Sequence, residues 1–264
     1  MSALDLIDEA AVAVTVKQLG LRWHYAEQTG STNADALQLH GQFGQPLVVV
    51  SEAQSAGRGR RGRQWESPFA KNIYCTIGVE KQLPAEQLGL LSLVVGVALC
   101  ETLQRAGIDA IKIKWPNDLL HDYQKLGGIL IESRPLDDGG YFLAIGFGLN
   151  VAMSEDELTA IGQPATSVEQ ILQAPASRSR ILIDAIASVV AAIANFKPSS
   201  IDRLTERFAS LDAYYGKPVE LVTATSRITG INRGIAANGQ LQLETGQGIE
   251  SFAAAEISLR APDA

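Results

Sequence analysis

Four guanidinium side chains stand close together in Gly57-Arg58-Gly59-Arg60-Arg61-Gly62-Arg63, interleaved with glycines. Guanidinium stays charged and pairs bidentately with phosphate or carboxylate, while glycine lets backbone N–H groups approach a ligand closely. The combination is an anion cradle suited to phosphate or acyl phosphate chemistry. It is not a nucleotide P-loop: counted from Gly57, that pattern needs Lys and then Ser or Thr after Gly62, where Arg63 and Gln64 stand. A solvated loop and an Arg-Gly contact with RNA are the other readings of these residues. Ligand binding is preferred, because the loop leaves an apolar strand and ends at Trp65.

Three further clusters carry polar groups at breaks in apolar strands. Lys114-Trp115-Pro116-Asn117-Asp118 puts a cation, an aromatic and a carboxylate within five residues. It fits a cleft site, or a strand-edge turn with Trp115 buried and Asp118 capping a backbone N–H. In Lys125-Leu126-Gly127-Gly128-Ile129-Leu130 a single ammonium enters an apolar strand, where it can face a developing negative charge or simply be solvated. Gly146-Phe147-Gly148-Leu149-Asn150 permits close approach at its glycines and ends in an amide. His24, His40 and His121 are scattered at no ligand spacing, so neither zinc nor a Ser-His triad is expected. A Gly-x-Ser-x-Gly nucleophile elbow is also missing. Cys75 and Cys100 read as core packing.

The elements that position these clusters follow from periodicity and turn residues. Residues 1–20 are compatible with helix, and Ser31-Thr32 caps a short helix ending near Gly41. Leu47-Val48-Val49-Val50 is a strand apolar on both faces, feeding the arginine loop, and residues 72–79 return as a strand. Pro84 opens a long apolar helix that runs to about Ala106. Residues 111–114 alternate as a half-exposed strand. Residues 126–133 and 141–150 flank Asp137-Asp138-Gly139-Gly140 as a hairpin. Helical pattern covers residues 167–172, 180–196 and 201–211, with Pro198 between the last two. After Gly216 come short strands at 218–222, 226–235, 240–244 and 249–252, with Asn238-Gly239 as a hairpin turn. The expected fold class is α+β: a mixed β-sheet with packed helices over residues 1–214, then a small β-barrel over residues 215–264.

The 264 residues include 46% hydrophobic and 19% charged, the usage of a folded globular chain. Lys plus Arg is 22 against 29 for Asp plus Glu, a formal charge of -7, so the surface as a whole repels nucleic acid and anionic membranes. Acidic residues stand where a secretory signal would carry a basic region, and the longest apolar stretch, 88–100, is short for a membrane span. A cytoplasmic protein is expected. The 126–150 hairpin is a candidate edge for pairing two copies into a homodimer.

In this order, Gly30-Ser31-Thr32-Asn33, the run from Gln54 through the arginine loop to Trp65, and the clusters at 114–118, 125–130 and 146–150 closely resemble the biotin protein ligases. The resemblance runs from about Gly30 to the end, through Leu211-Asp212-Ala213 and Glu256-Ile257-Ser258-Leu259-Arg260. It implies a catalytic domain like those of lipoyl ligases and class II aminoacyl-tRNA synthetases, followed by an SH3-like barrel. It also implies two half-reactions. Biotin and MgATP give biotinyl-5'-AMP and pyrophosphate, and the biotinyl group then passes to one lysine of the biotin carboxyl carrier protein of acetyl-CoA carboxylase. By position, Ser31, Thr32, Asn33 and Gln54 match the lining of the biotin site, and Arg58, Gly59 and Arg60 match its loop. Lys125 matches the essential lysine. Asp118 matches the carboxylate that assists Mg2+ or orients the incoming amine. Gly57, Arg61, Trp65, Lys114, Asn117, Gly128, Gly148 and Asn150 complete the implied biotin and ATP site. Family members that repress transcription carry a winged helix-turn-helix first; only about 30 residues precede Ser31, so the resemblance is to the ligase-only class, without DNA binding. Where some relatives cover the adenine with an aromatic, this chain has Ile161-Gly162-Gln163-Pro164-Ala165.

Overall fold

The computed structural model describes residues 5–222, 227–253 and 258–260. Its centre is a seven-stranded mixed sheet. β1 (Arg22–Thr29) runs parallel to β2 (Leu47–Gln54), with Arg22 opposite Leu47, and the crossover between them is α2 (Thr32–Phe43). From β2 onward every pairing is antiparallel: to β3 (Ile73–Lys81), β7 (Tyr141–Leu149), β6 (Gln124–Pro135), β5 (Asp118–His121) and β4 (Ile111–Lys114). Alternation sorts the strand residues between two faces. Leu47 and Val49 pack with Ala36 of α2, Phe142 and Ala144. Val48, Val50, Cys75 and Ile77 join the larger core beneath the remaining helices.

That core is built on α1 (Glu9–Gln18), α3 (Leu88–Arg105) and α6 (Arg178–Asn195). In α6 the buried Ile181, Leu182, Ala185, Ile186, Val189 and Ile193 recur at helical spacing, each larger side chain contributing about 1.5–3 kcal/mol of burial. Pro84 is extended and a single 3-10 turn, Ala85–Gln87, intervenes before α3, so the helix opens four residues after the proline. By length and composition Ala85–Arg105 could cross a membrane, but most of it is buried in this core. Three short helices, α4 (Glu155–Ala160), α5 (Val168–Leu172) and α7 (Ile201–Leu211), complete the layer. Cys75 and Cys100 are both buried, and burial raises both thiols, Cys100 to about 12.

A buried ion pair fastens the start of the described chain. Glu52, fully buried on β2, accepts from Arg178 Nη1 at 2.8 Å, from the Ile7 amide at 2.6 Å and from the Tyr25 hydroxyl at 3.0 Å. Removing one charge would strand the other, at about 3–5 kcal/mol.

The topology narrows the expected pairing edge. The 126–150 hairpin is β6 and β7, which lie inside the sheet between β3 and β5. β5 pairs with β6 only as far as Gly128, so among the described strands the distal part of β6 has a neighbour on one side alone.

The last strands form a second, antiparallel sheet of β8 (Pro218–Val222), β9 (Arg227–Ile235), β10 (Leu241–Thr245), β11 (Gly248–Phe252) and β12 (Ser258–Arg260), in the order β11-β10-β9-β8-β12. Ser226, Glu256 and Ile257 lie outside the described residues. Val219, Leu221, Leu241 and Leu243 belong to the same core cluster as α3 and the large sheet. Polar links cross the joint. Asn232 Nδ2 on β9 donates to Asp212 Oδ2 at 2.8 Å, and Trp115 Nε1 donates to Gly239 O at 3.1 Å. Gly239 has φ +78°, and a Cβ there would lie 2.9 Å from Leu90. Its turn thus needs glycine both for the backbone angle and for space.

Candidate active site

The strand ends and loops enclose a cleft of about 480 Å³. Ser31, Thr32 and Asn33 enter it from the start of α2, Gln54 from the end of β2, and Lys125 and Gly128 from β6. Gly148 and Asn150 come from the end of β7, and Lys114, Asn117 and Asp118 from the β4–β5 turn. Arg58, Gly59, Arg60, Arg61 and Trp65 come from the loop after β2. Gly57 is the exception: it is buried and off the cleft, where a Cβ would lie 2.7 Å from Trp65 O and 2.8 Å from Ser67 Oγ. It closes the base of the loop, and the Trp65 amide donates to its carbonyl at 3.0 Å.

The arginine loop is an ordered hairpin. The Gly59 amide donates to Arg63 O at 2.7 Å, and Arg61 and Gly62 turn the tip with φ of 60° and 71°. Two guanidiniums reach back toward the sheet. Arg58 Nη2 meets Glu132 Oε2 at 2.9 Å, and Arg60 Nη1 donates to Asn117 Oδ1 at 3.5 Å. Burial, with the neighbouring Arg61, lowers the Arg60 pKa, while Asp118 acts in the other direction.

At the floor, Lys125 Nζ pairs with Asp118 Oδ1 at 2.9 Å and lies 5.3 Å from the centroid of the Trp65 ring. Both partners are mostly shielded, with side chains 16% and 22% exposed, so the pair is stronger than a surface one. Trp65 rests on two glycines: a Cβ on Gly148 would lie 2.6 Å from its ring, and one on Gly128 3.1 Å from it. Trp115 is buried and its indole N–H is bonded to the small sheet, while all of Lys114, Trp115, Pro116, Asn117 and Asp118 border the cleft.

The opposite wall is neutral. The Thr32 amide donates to Gln54 Oε1 at 3.0 Å, Gln54 Nε2 donates to Ser67 Oγ at 3.2 Å, and the Thr76 hydroxyl donates to Asn33 Oδ1 at 2.6 Å. Asn150 is buried and gives its amide to Lys125 O at 3.3 Å and Thr166 O at 3.1 Å. It braces the backbone behind Lys125. Ile161, Gly162 and Gln163 form a further part of the rim.

Among the contributors not singled out from sequence are Thr76 and Glu132. Thr76 is one polar residue in Ile73-Tyr74-Cys75-Thr76-Ile77, and nothing local separates it from an ordinary strand threonine. Glu132 had a signal: it is the carboxylate that ends the apolar run from Leu126 to Ile131. His40 bonds to Glu80 and Arg134 and stacks on Phe142, which makes it a packing residue. Among the described residues no three His, Cys, Asp or Glu side chains form a metal-binding group.

A sequence model of the Biotin/lipoate A/B protein ligase family matches residues 25–150, and one of the Biotin protein ligase C terminal domain matches residues 214–260. The bifunctional ligase/repressor BirA of Salmonella typhimurium is 36% identical over 234 residues, covering 88% of this chain and 72% of that protein. The biotin--[acetyl-CoA-carboxylase] ligase of Paracoccus denitrificans is 32% identical, covering 87% of this chain and 97% of the relative. The biotin protein ligase of Aquifex aeolicus, solved in complex with biotin and ATP, superposes with a TM-score of 0.77 at 26% identity, over 91% of this chain and 99% of that one. With its large mixed sheet, its small C-terminal sheet and its arginine loop closing on Lys125 and Asp118, this chain belongs to the biotin protein ligases.

Proposed function

We propose that this protein activates biotin with MgATP to biotinyl-5'-AMP and pyrophosphate, then transfers the biotinyl group to one lysine of the biotin carboxyl carrier protein of acetyl-CoA carboxylase. The observation that carries the reading is the division of one cleft into a neutral wall and a cationic floor. The wall of Ser31, Thr32 and Gln54 offers uncharged donors and acceptors, which suit a ureido ring. The acid end then meets Lys125, whose ammonium offsets charge shared by the carboxylate and the α-phosphate as they approach. Arg60 and Arg61 extend the positive charge toward the triphosphate, and the loop above them screens the mixed anhydride from water. Trp65 supplies an aromatic surface.

The donor set fits Mg2+ brought with a triphosphate. One carboxylate, Asp118, with the Asn117 amide beside it, suits an ion that keeps water and phosphate oxygens as its other ligands. Bound there, Mg2+ would neutralise phosphate charge. Asp118 has two oxygens, and Lys125 engages Oδ1. In the second half-reaction the same carboxylate is placed to orient the incoming lysine amine.

The formal charge of -7 disfavours DNA and anionic membranes as partners, and we assign the protein to the cytoplasm as a ligase without a repressor role. The stretch of β6 beyond Gly128 is where a second copy would pair.

The test is ATP-dependent incorporation of biotin into a purified carrier domain, with pyrophosphate release followed in parallel and lipoate as the control acid. Incorporation with biotin alone is expected. Incorporation of lipoate in its place would move the chain to the lipoyl branch, and silence with both acids would overturn the reading.

A further inference from the structure

A carboxylate that the chemistry above does not use stands at the edge of the cleft. Glu132, on β6, has a side chain 28% exposed. Its Oε2 accepts from Arg58 Nη2 at 2.9 Å and from Asn33 Nδ2 at 2.9 Å. One oxygen of the sheet therefore holds the arginine loop and the first turn of α2 together.

Both contacts restrict their donors. Asn33 Nδ2 also donates to Leu130 O at 3.1 Å, and Asn33 Oδ1 accepts from Thr76 at 2.6 Å. A carbonyl and a carboxylate on one side and a hydroxyl donor on the other fix which way the amide points. The side chain is also pressed against the sheet, since a Cβ on Gly146 would lie 2.2 Å from Asn33 Oδ1. On the loop side, the bonds from Gly59 to Arg63 and from Trp65 to Gly57 shape the hairpin internally. They do not attach it to the strands opposite. The Arg58–Glu132 pair does, beside the longer Arg60 contact to Asn117, and it is charge-assisted at both ends.

We propose that Glu132 is a positioning residue, a latch that holds the arginine loop down through Arg58 while orienting Asn33, and so sets biotin affinity and the retention of the acyl adenylate. The functional half rests on the biotin ligase reading; the latch itself does not. Glu132→Gln keeps the shape and removes the charge. Trypsin cuts after arginine, so cleavage after Arg60, Arg61 and Arg63 of the ligand-free protein, sites that every variant keeps, reports loop opening directly.

The variant is expected to be cut about fivefold faster there, at an unchanged melting midpoint. In pyrophosphate release its KM for biotin should rise about fivefold while kcat moves less than twofold, and free adenylate should escape sooner. Arg58→Ala, at a side chain 44% exposed, tests the latch from the loop side should Glu132→Gln fold poorly. In the Arg58→Ala background, Glu132→Gln should add nothing to the cleavage rate. Unchanged cleavage in either single variant, or additive effects in the double one, would overturn the latch. An inactive wild type would overturn the biotin reading, and the trypsin comparison would still decide the latch.

Discussion

Among the described residues the Lys125 ammonium meets one carboxylate, Asp118, and one aromatic face, Trp65, and neither contact builds the fold. Lys125→Ala should therefore abolish pyrophosphate release while the melting curve stays where it was; wild-type release from the variant would sink the assignment. At this scale much could be read from residue type and spacing. Four arginines among glycines announce an anion site wherever they lie, and the ordered motifs drew Ser31, Gln54 and Lys125 toward one cleft before any geometry was known. What stayed hidden were roles decided by contact across the sheet. Gly57 reads like its glycine neighbours, yet it packs against Trp65 O and the Ser67 and Gln54 side chains rather than lining the cleft. Glu132 and Thr76 matter through Arg58 and Asn33, 74 and 43 residues away in the chain, and local pattern carries no such information.

Among the elements, the loop after β2 has the largest functional consequence, because its tip residues Arg61 and Gly62 both need left-handed backbone and its guanidiniums supply the cleft's roof. Arg60→Gly removes the contact to Asn117 and one of the cations that face the floor. Closure should fail, activated biotin should leak, and lysines on bystander proteins should become labelled; labelling confined to the carrier domain would count against closure. The strongly periodic elements were legible: β4, β8 and α7 have the bounds expected from pattern alone. β1 was not, because Arg22-Trp23-His24-Tyr25-Ala26-Glu27 is a half-exposed edge with too little apolar alternation. α4 left a signal that went unused, the capping box Ser154-Glu155-Asp156-Glu157. At the 126–150 hairpin only β6 beyond Gly128 has a free side among the described strands, since adjacency in sequence does not say how much of a strand ends up at an edge.

Across the whole molecule, the joint between the two sheets contains a titratable group. Asp212 is buried there, accepting from the Tyr214 amide at 2.9 Å and from Asn232 Nδ2 at 2.8 Å. Burial raises its pKa from 3.8 to about 6, with the two hydrogen bonds acting the other way. A folded pKa above the unfolded one means the fold binds the proton more tightly. The stability from this group is complete below pH 3.8 and is lost as pH rises through about 6. The melting difference between wild type and Asp212→Asn should fall across that window and level off above it; a constant difference would exclude Asp212 as its source. That a small β unit closes the chain was plain from its turns, but its shared core with α3 was not, because the partners of Leu241 and Leu243 are set only when the sheets dock. The Gly239 turn, seated on Leu90 and bonded to Trp115, has a consequence for recombination. An exchange of the small sheet between homologous genes transplants half a lock. Such hybrids should survive where Leu90 and Trp115 travel with the turn that fits them, and fail where the crossover separates them.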